Sequence, residues 1–256
     1  TQALAPYATS QNVWLWVVTE GAQAVIQGEP VASAQAPVWG MGGVIAQELP
    51  DLHCRRIDLD PTGQSDHVQH ILAELSGVDA FEDQVARRGE RRLARRLNRS
   101  PLSAEALRRP TAFRSEASYL ITGGLNGLGL LLAEWMVGRG ARHLVLLSRR
   151  GSSAEIEPRL QAMRANGAEI VAVAADVADE AQLAGVLADV DRSGRPLAGV
   201  FHCAGVLDDG LLQQLSWERY RTVFRPKGDG AWNLHRLTRG RRLDYFVLFS
   251  SGGALL

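Results

Sequence analysis

The sequence predicts an α/β protein of two units, a smaller α/β unit followed by a doubly wound parallel sheet. Three observations support this prediction. From residue 118 onward, short apolar strands alternate with helical segments of about ten to fifteen residues, which is typical of βαβ units. A polar segment with two prolines, residues 100–118, precedes that pattern, as a connection between domains would. The chain has 256 residues, 46% of them apolar, which is enough to bury a sizeable core.

The composition, with a formal net charge of zero, is that of an ordinary soluble protein. No run approaches the roughly eighteen apolar residues of a membrane helix, and the N-terminus lacks the features of a secretory leader. Cys54 and Cys203 are too few for a disulfide framework. His67 and His70 share a predicted helix face without an evident third ligand, so we expect no metal site. We expect a cytoplasmic protein with no membrane partner.

The first unit, residues 1–110, contains two strand-like runs, VWLWVVT and CRRIDLD, around a helical segment, APVWGMGGVIAQEL. HVQHILAEL predicts an amphipathic helix, and DQVARRG with RRLARRL predicts a hairpin around Gly89. Acidic residues interrupt these arginines and no aromatic residues interleave them, so we expect a solvated face and no nucleic-acid partner. We place the boundary near Pro110, and the second unit covers residues 111–256.

The second unit alternates strands and helices along its length. The predicted strands are SYLITGG, HLVLLSR, EIVAVAAD, LAGVFHCAG and DYFVLFSS, and the helices between them include GLGLLLAEWMVGRG, EIEPRLQAMRANG and DEAQLAGVLADV. Such alternation predicts a parallel sheet buried on both faces.

A glycine-rich loop, TGGLNGLG, lies directly between the first of these strands and the first helix. Glycines at these positions permit a tight turn and let backbone amides approach a pyrophosphate at the start of a helix. A plain turn is the alternative, but the strand and helix context favours dinucleotide binding. The predicted cofactor residues in this loop are Thr122, Gly123, Gly124, Leu125, Gly127, Leu128 and Gly129.

The ends of the next strands complete the predicted cofactor site. After the second strand, where an acidic residue would select NAD, the sequence has Ser148, Arg149 and Arg150, which suit a 2′-phosphate. We therefore predict NADPH, although an exposed loop would also carry soluble arginines. The third strand closes with residues expected to bracket the adenine, and the fourth with small residues beside the cofactor: Asp176, Val177, His202, Ala204 and Gly205.

These motifs make the chain resemble the ketoreductase domain of a modular (type I) polyketide synthase, in the short-chain dehydrogenase/reductase superfamily. The resemblance rests on TGGLNGLG, LLSRRG, FHCAGVLDDG, VFRPKGDGAWNLH and FVLFSS, and in the first unit on GAQAV and APVWGMGGVIAQE. It implies that the first unit is a truncated Rossmann-like structural subdomain that has lost cofactor binding. The second unit is then the Rossmann-like catalytic subdomain.

The resemblance also implies the chemistry. Family members transfer a hydride from NADPH to the β-keto group of a chain held as a phosphopantetheine thioester on an acyl carrier protein, beside neighbouring synthase domains. Lys227 matches the family's lysine, which holds the nicotinamide ribose, and Ser251 matches the serine that hydrogen-bonds the ketone oxygen. Among 28 basic residues Lys227 is the only lysine.

The segment GVLDDG matches the motif of B-type ketoreductases, which form the D-configured (R) hydroxyl. Its residues Leu207, Asp208 and Asp209 are expected to guide which face of the ketone meets the hydride, with Asp209 as the most important of them. Two aspartates before a glycine also form ordinary turns, so a structural role is the alternative.

The family's tyrosine, the proton donor, and its asparagine are expected after Ser251, beyond Leu256. The sequence also begins abruptly, inside the expected early sheet of the first unit. We therefore expect that it is a piece of a longer polypeptide, incomplete at both ends. Two alternatives stay open: a catalytically silent scaffold that binds nucleotide in the same assembly line, and a free-standing reductase, which the long first unit disfavours. The intact TGGLNGLG loop and Lys227 favour an active enzyme.

Overall fold

The computed structural model describes residues 2–8, 13–63, 65–77, 82–99 and 112–252, which form two compact units. The first comprises the described residues up to 99, Gly210–Leu215 and residue 252, and the second comprises residues 112–209 and Ser216–Ser251. The boundary predicted near Pro110 lies outside the described residues. Within these ranges, no helix has the length and apolar character needed to cross a bilayer.

The first unit is built around a four-stranded sheet in the order β1-β2-β3-β4. The first three strands are parallel and the fourth is antiparallel, after a turn in which Gly89 has a φ of +54°. Its strands are β1 (Trp16–Glu20), β2 (Arg55–Leu59), β3 (Gln84–Arg88) and β4 (Arg91–Ala94), and its helices are α1 (Ala5–Ala8), α2 (Ala36–Glu48) and α3 (His67–Ser76), with a 3-10 turn at Pro50–Leu52. The predicted hairpin and both predicted helices are present.

Charged residues lie in the core of this unit, since every residue of β2 is buried although its sequence is RRIDL. The guanidinium of Arg88 pairs with the Asp58 carboxylate at 2.8 Å and also pairs with Glu29. The same Asp58 carboxylate accepts hydrogen bonds from the backbone amides of Ala22 at 2.7 Å and Gln23 at 3.3 Å. The amides that follow β1 are therefore satisfied by a carboxylate of the unit itself.

The second unit has a five-stranded, fully parallel sheet in the order β7-β6-β5-β8-β9. Its strands are β5 (Ser118–Thr122), β6 (His143–Ser148), β7 (Glu169–Ala174), β8 (Leu197–His202) and β9 (Tyr245–Leu248). Its helices are α4 (Gly127–Gly138), α5 (Glu157–Ala165), α6 (Glu180–Arg192), α7 (Trp217–Phe224) and α8 (Gly230–Thr238), with a π-helical turn at Arg225–Asp229 between the last two. This topology confirms the predicted doubly wound, Rossmann-like sheet.

Two apolar clusters cover the two faces of this sheet. Tyr119 and Ile121 of β5 belong to the cluster that includes Leu130 of α4 and Leu160 of α5. Leu120, between them, belongs to the opposite cluster with α6 and α8. All five β5 residues are buried, as expected for a central parallel strand. The strand order reverses between β5 and β8, and a crevice opens at the carboxyl ends of the strands at such a switch point.

Candidate active site

An open cleft lies at the carboxyl ends of β5 to β8, at this switch point. Eight of the residues predicted from the sequence to bind the cofactor line it. They come from the glycine loop and from the ends of β6, β7 and β8: Gly123, Ser148, Arg149, Arg150, Asp176, Val177, Ala204 and Gly205. The structure thus brings together residues that are about eighty positions apart in the sequence.

Two glycines of the loop allow close approach of one backbone segment to another. Gly123 has a φ of +67°, and a Cβ built there would lie 2.8 Å from the backbone nitrogen of Ala204. A Cβ on Gly129 would lie 2.3 Å from the carbonyl oxygen of Gly123. The first turn of α4 therefore packs directly on the loop. A helix begun in this way directs its first amides toward the cleft, where an anion is favoured.

The other predicted cofactor residues lie around or beneath the cleft. Leu125 and Gly127 line an adjoining depression that shares Asn126, Ser148 and Arg150 with it. Five predicted residues line neither space, namely Thr122, Gly124, Leu128, Gly129 and His202. Gly129 supports the loop from behind, and the Leu128 side chain is 56% exposed.

Thr122 and His202 form a buried pair below the cleft. The Thr122 hydroxyl lies 2.6 Å from Nδ1 of the imidazole, and the amide of Ala204 donates to the same hydroxyl at 3.3 Å. Burial lowers the pKa of His202, and the nearby backbone of Pro226 and Lys227 opposes this shift without making a hydrogen bond of good geometry to Nε2. The imidazole is therefore neutral at pH 7, and its hydrogen bond with Thr122 joins β8 to β5.

The end of the cleft beside β6 carries positive charge. Arg149 and Arg150 directly follow β6, are exposed, and form no ion pair within the described residues. Asp176 is held by its own turn, where the Ala178 amide donates to its carboxylate at 2.9 Å, and Arg225 lies 3.6 Å from it. Val177, 2% exposed, forms part of the wall.

Lys227 reaches the other end of the cleft. It lies in the π-helical turn, an irregularity that often marks functional sites. A Cβ on Gly205 would lie 3.2 Å from the Lys227 Cε atom, so the lysine stem passes over a residue that lines the cleft. Its ammonium makes no hydrogen bond or ion pair with the described part of the chain, which leaves its donors available.

Ser251 lies at the same edge of the sheet, three residues after β9, whose last residue pairs with His202. Its side chain is exposed. The loop after β8 contains Leu207, 82% exposed, and Asp208, whose carboxylate forms an ion pair with Arg219. Asp209 is exposed. The three predicted stereocontrol residues therefore directly follow the segment 203–206, which lies after β8 and lines the cleft.

Sequence reasoning missed six residues that line the cleft: Asn126, Leu147, Ala175, Cys203, Val206 and Pro226. Asn126 lies inside the glycine motif, and the other five directly adjoin predicted residues, so their neighbours were the available signal. Burial raises the pKa of the Cys203 thiol to about 11, so it stays protonated at neutral pH and is a poor nucleophile.

Two family profiles match the chain: the KR domain over residues 117–256, and the Rossmann fold domain of polyketide synthase extender module SpnB over residues 2–97. Pikromycin polyketide synthase component PikAIII of Streptomyces venezuelae is 37% identical over 94% of this chain and 15% of that protein. Spectinabilin polyketide synthase system protein NorA' of Streptomyces orinoci is 41% identical over 93% of this chain and 6% of that protein. The chain thus spans a small part of these relatives.

Among solved structures, the chain is similar to A-type ketoreductases from a modular polyketide synthase. The TM-score is 0.84 at 37% identity, over 98% of this chain and 53% of that one. The likeness covers both units of the present chain.

Proposed function

Since the chain belongs to the ketoreductase domain family of modular polyketide synthases, we propose that it reduces the β-keto group of an acyl-carrier-protein-bound intermediate with NADPH. Ketoreductase domains of this Rossmann type depend on a nicotinamide dinucleotide. The further choices, NADPH over NADH and the D-configured hydroxyl as product, are our proposal for this chain, as are the carrier protein and the phosphopantetheine thioester that would present the substrate.

The observation that carries the proposal is the close-packed glycine loop from Gly123 to Gly129, here called the glycine cradle, which lies beside Lys227. Gly123 and Gly129 leave no room for side chains, so the loop backbone is free to approach a pyrophosphate closely. Across the same cleft the stem of Lys227 lies against Gly205. A dinucleotide laid over the cleft would therefore meet backbone amides at its phosphates and an ammonium near its nicotinamide end.

The preference for NADPH is proposed from charge. When bound, the nicotinamide supplies the hydride. Arg149 and Arg150 present two guanidinium groups at the adenosine end, and these donate well to phosphate oxygens. Among the described residues at the tip of β6, no acidic side chain stands where a ribose 2′-hydroxyl would be bound in an NAD site.

The catalytic roles are assigned by motif and position. Lys227 holds the ribose through its compact, multi-donor ammonium. The Ser251 hydroxyl donates to the ketone oxygen, which becomes more negative as the reaction proceeds. In this proposal the proton comes from the tyrosine that serves as proton donor in the family that the chain resembles. Both named residues lie at the edge of the sheet where the cofactor cleft opens.

The proposed B-type configuration rests on Leu207, Asp208 and Asp209 and not on overall likeness, because the similar solved structure is of A-type ketoreductases. The loop starts five residues after β8 ends, so it adjoins the nicotinamide end of the cleft. That position is suited to guide a substrate onto one face of the cofactor.

The test uses the polypeptide that carries this chain within its synthase. With a β-ketoacyl N-acetylcysteamine thioester, we expect NADPH oxidation and one predominant hydroxyl configuration. Lys227→Met should lower kcat/KM by about 100-fold or more, whereas Arg221→Met, a matched loss of positive charge on exposed α7, should not. A wild-type protein that binds NADPH but oxidises none would support the silent scaffold instead and overturn the proposal.

A further inference from the structure

Arg219 makes an unusual set of contacts with the loop that contains the stereocontrol motif. Its Nε donates to Asp208 Oδ1 at 2.9 Å, and its Nη2 donates to the same oxygen at 2.6 Å. The same Nη2 also approaches the carbonyl oxygens of Asp208 at 3.3 Å and Asp209 at 2.7 Å. One guanidinium thus joins a side chain and two successive backbone carbonyls.

The backbone that carries Arg219 is itself fixed. Arg219 is the third residue of α7, and its amide donates to the Oγ atom of the N-cap residue Ser216 at 3.2 Å. A capped first turn is a firm base from which a long side chain reaches back to a preceding loop. The cap orders the helical turn that carries Arg219, and the guanidinium holds the loop at Asp208 and Asp209.

The two aspartates of the motif consequently have different environments. Hydrogen bonds from Arg219, together with its positive charge, lower the pKa of Asp208, and the same contact raises the pKa of Arg219. The Asp209 carboxylate makes no hydrogen bond or ion pair with the described residues, although its charge also acts on Arg219. Asp208 is therefore engaged by the protein, whereas the side chain of Asp209 remains available to a ligand.

Ion pairs at this exposure add little to stability. The side chains of Arg219 and Asp208 are about a third exposed, at 33% and 34%, and water screens such pairs. The contacts nevertheless restrict the loop, because a planar guanidinium bound to a carboxylate and two carbonyl groups is compatible with few loop conformations. Lysine has one compact ammonium group and is therefore a poor substitute for the guanidinium in these contacts.

We propose that Arg219 is a positioning residue for the reaction: it fixes the loop at 207–209 and so presents Asp209 in the orientation that determines the configuration of the product. This inference rests on the proposed function, but its structural part does not. Asp208 acts through Arg219 and does not contact the substrate.

The test compares Arg219→Met, which keeps the length of the side chain and removes every donor, with Arg221→Met, an exposed arginine two positions along the same helix. Hydrogen exchange of the segment 205–210, measured without cofactor, reports how firmly the loop is held. We expect Arg219→Met to raise exchange about tenfold. Arg221→Met should match wild type, and Arg219→Lys should lie between the two.

The second measurement is the ratio of the two hydroxyl configurations formed from a β-ketoacyl thioester. Arg219→Met should lower this ratio about tenfold, and Asp208→Asn should lower it in the same direction. Unchanged exchange in Arg219→Met, or a loosened loop with an unchanged ratio, would overturn the inference. Should Arg219→Met not fold, Arg219→Lys and Asp208→Asn decide by the same criteria. Absence of any reduction by wild type overturns the proposed function, while the exchange result still decides whether Arg219 fixes the loop.

Discussion

Replacement of Gly129 by alanine tests the glycine cradle most directly. The added Cβ would lie 2.3 Å from the Gly123 carbonyl oxygen and 2.8 Å from its carbon, whereas ordinary contact begins at 3.4 Å. Both obstacles are backbone atoms, so no side chain is able to rotate away. The first turn of α4 and the loop must separate by about 1 Å, a displacement comparable to those that cost about 100-fold in well-ordered sites.

The expected energies follow from that displacement. Overpacking of this kind costs about 1–3 kcal/mol of stability, which for a chain of this size lowers Tm by roughly 3–10 °C. If the displaced loop no longer donated about two amide hydrogen bonds to the charged pyrophosphate, at about 1.5–3 kcal/mol each, NADPH binding would weaken about 100-fold or more. We would follow binding by NADPH fluorescence titration and stability by thermal unfolding monitored with circular dichroism.

Gly138→Ala in the same helix is the matched control. No atom lies within 4 Å of a Cβ at Gly138, so alanine should be neutral or stabilising by up to about 1 kcal/mol, and NADPH should bind as to wild type. The reasoning is refuted if Gly129→Ala binds NADPH within about threefold of wild type. A similar loss of affinity in Gly138→Ala would show that the effect is not specific to the cradle.

Three further predictions concern charge. Changing both Arg149 and Arg150 to alanine should weaken NADPH binding about tenfold and leave NADH binding unchanged, and an equal loss for both nucleotides in the same titration would contradict the assignment. Arg88→Met leaves the buried Asp58 carboxylate and the partly buried Glu29 without their arginine and should destabilise the first unit by about 3–5 kcal/mol in urea unfolding; a loss below about 1 kcal/mol would contradict burial of the Arg88–Asp58 pair. Hydrogen bonds from Thr62, then Gly89, lower the pKa of Asp60 from 3.8 to about 2. The ionised carboxylate therefore adds on the order of 1–2 kcal/mol to the free energy of unfolding above about pH 4, and this contribution is lost as the pH falls toward 2. Asp60→Asn should remove that acid dependence of stability between about pH 4 and 2.

The parts of the site that sequence reasoning found are those with local signals. Gly123 and Gly129 are required by a turn between adjacent elements, so a motif of eight residues specifies them. Arg149 and Arg150 follow a strand whose end the apolar pattern marks clearly. Lys227 was placed by resemblance, because nothing in its own segment indicates that its stem would lie against Gly205.

The contributions that were missed depend on tertiary contacts. No residue of helix α7 is buried, so its sequence does not indicate which side of the helix faces the rest of the unit, or that Arg219 lies against Asp208. Pro226 lines the cleft from the π-helical turn between α7 and α8, an irregularity that the sequence pattern does not indicate. The polar run of β2 is fully buried because its arginines find partners, with Arg56 paired to Asp83 for example.

The two units use the same turn chemistry with opposite results. Each has a glycine with positive φ after its first strand, Gly21 at +63° and Gly123 at +67°. In the first unit the next amides bind the Asp58 carboxylate, and Pro61 lies 2.9 Å from a Cβ on Gly21, so the turn is both satisfied and covered.

In the second unit the corresponding turn borders an open cleft, where a phosphate of the proposed dinucleotide would take the place that Asp58 takes in the first. It follows that removing the Asp58 charge alone would not create a nucleotide site, because the proline would still cover the turn. The first unit thus presents two independent obstacles to a phosphate at this turn, the internal Asp58 carboxylate and the covering Pro61.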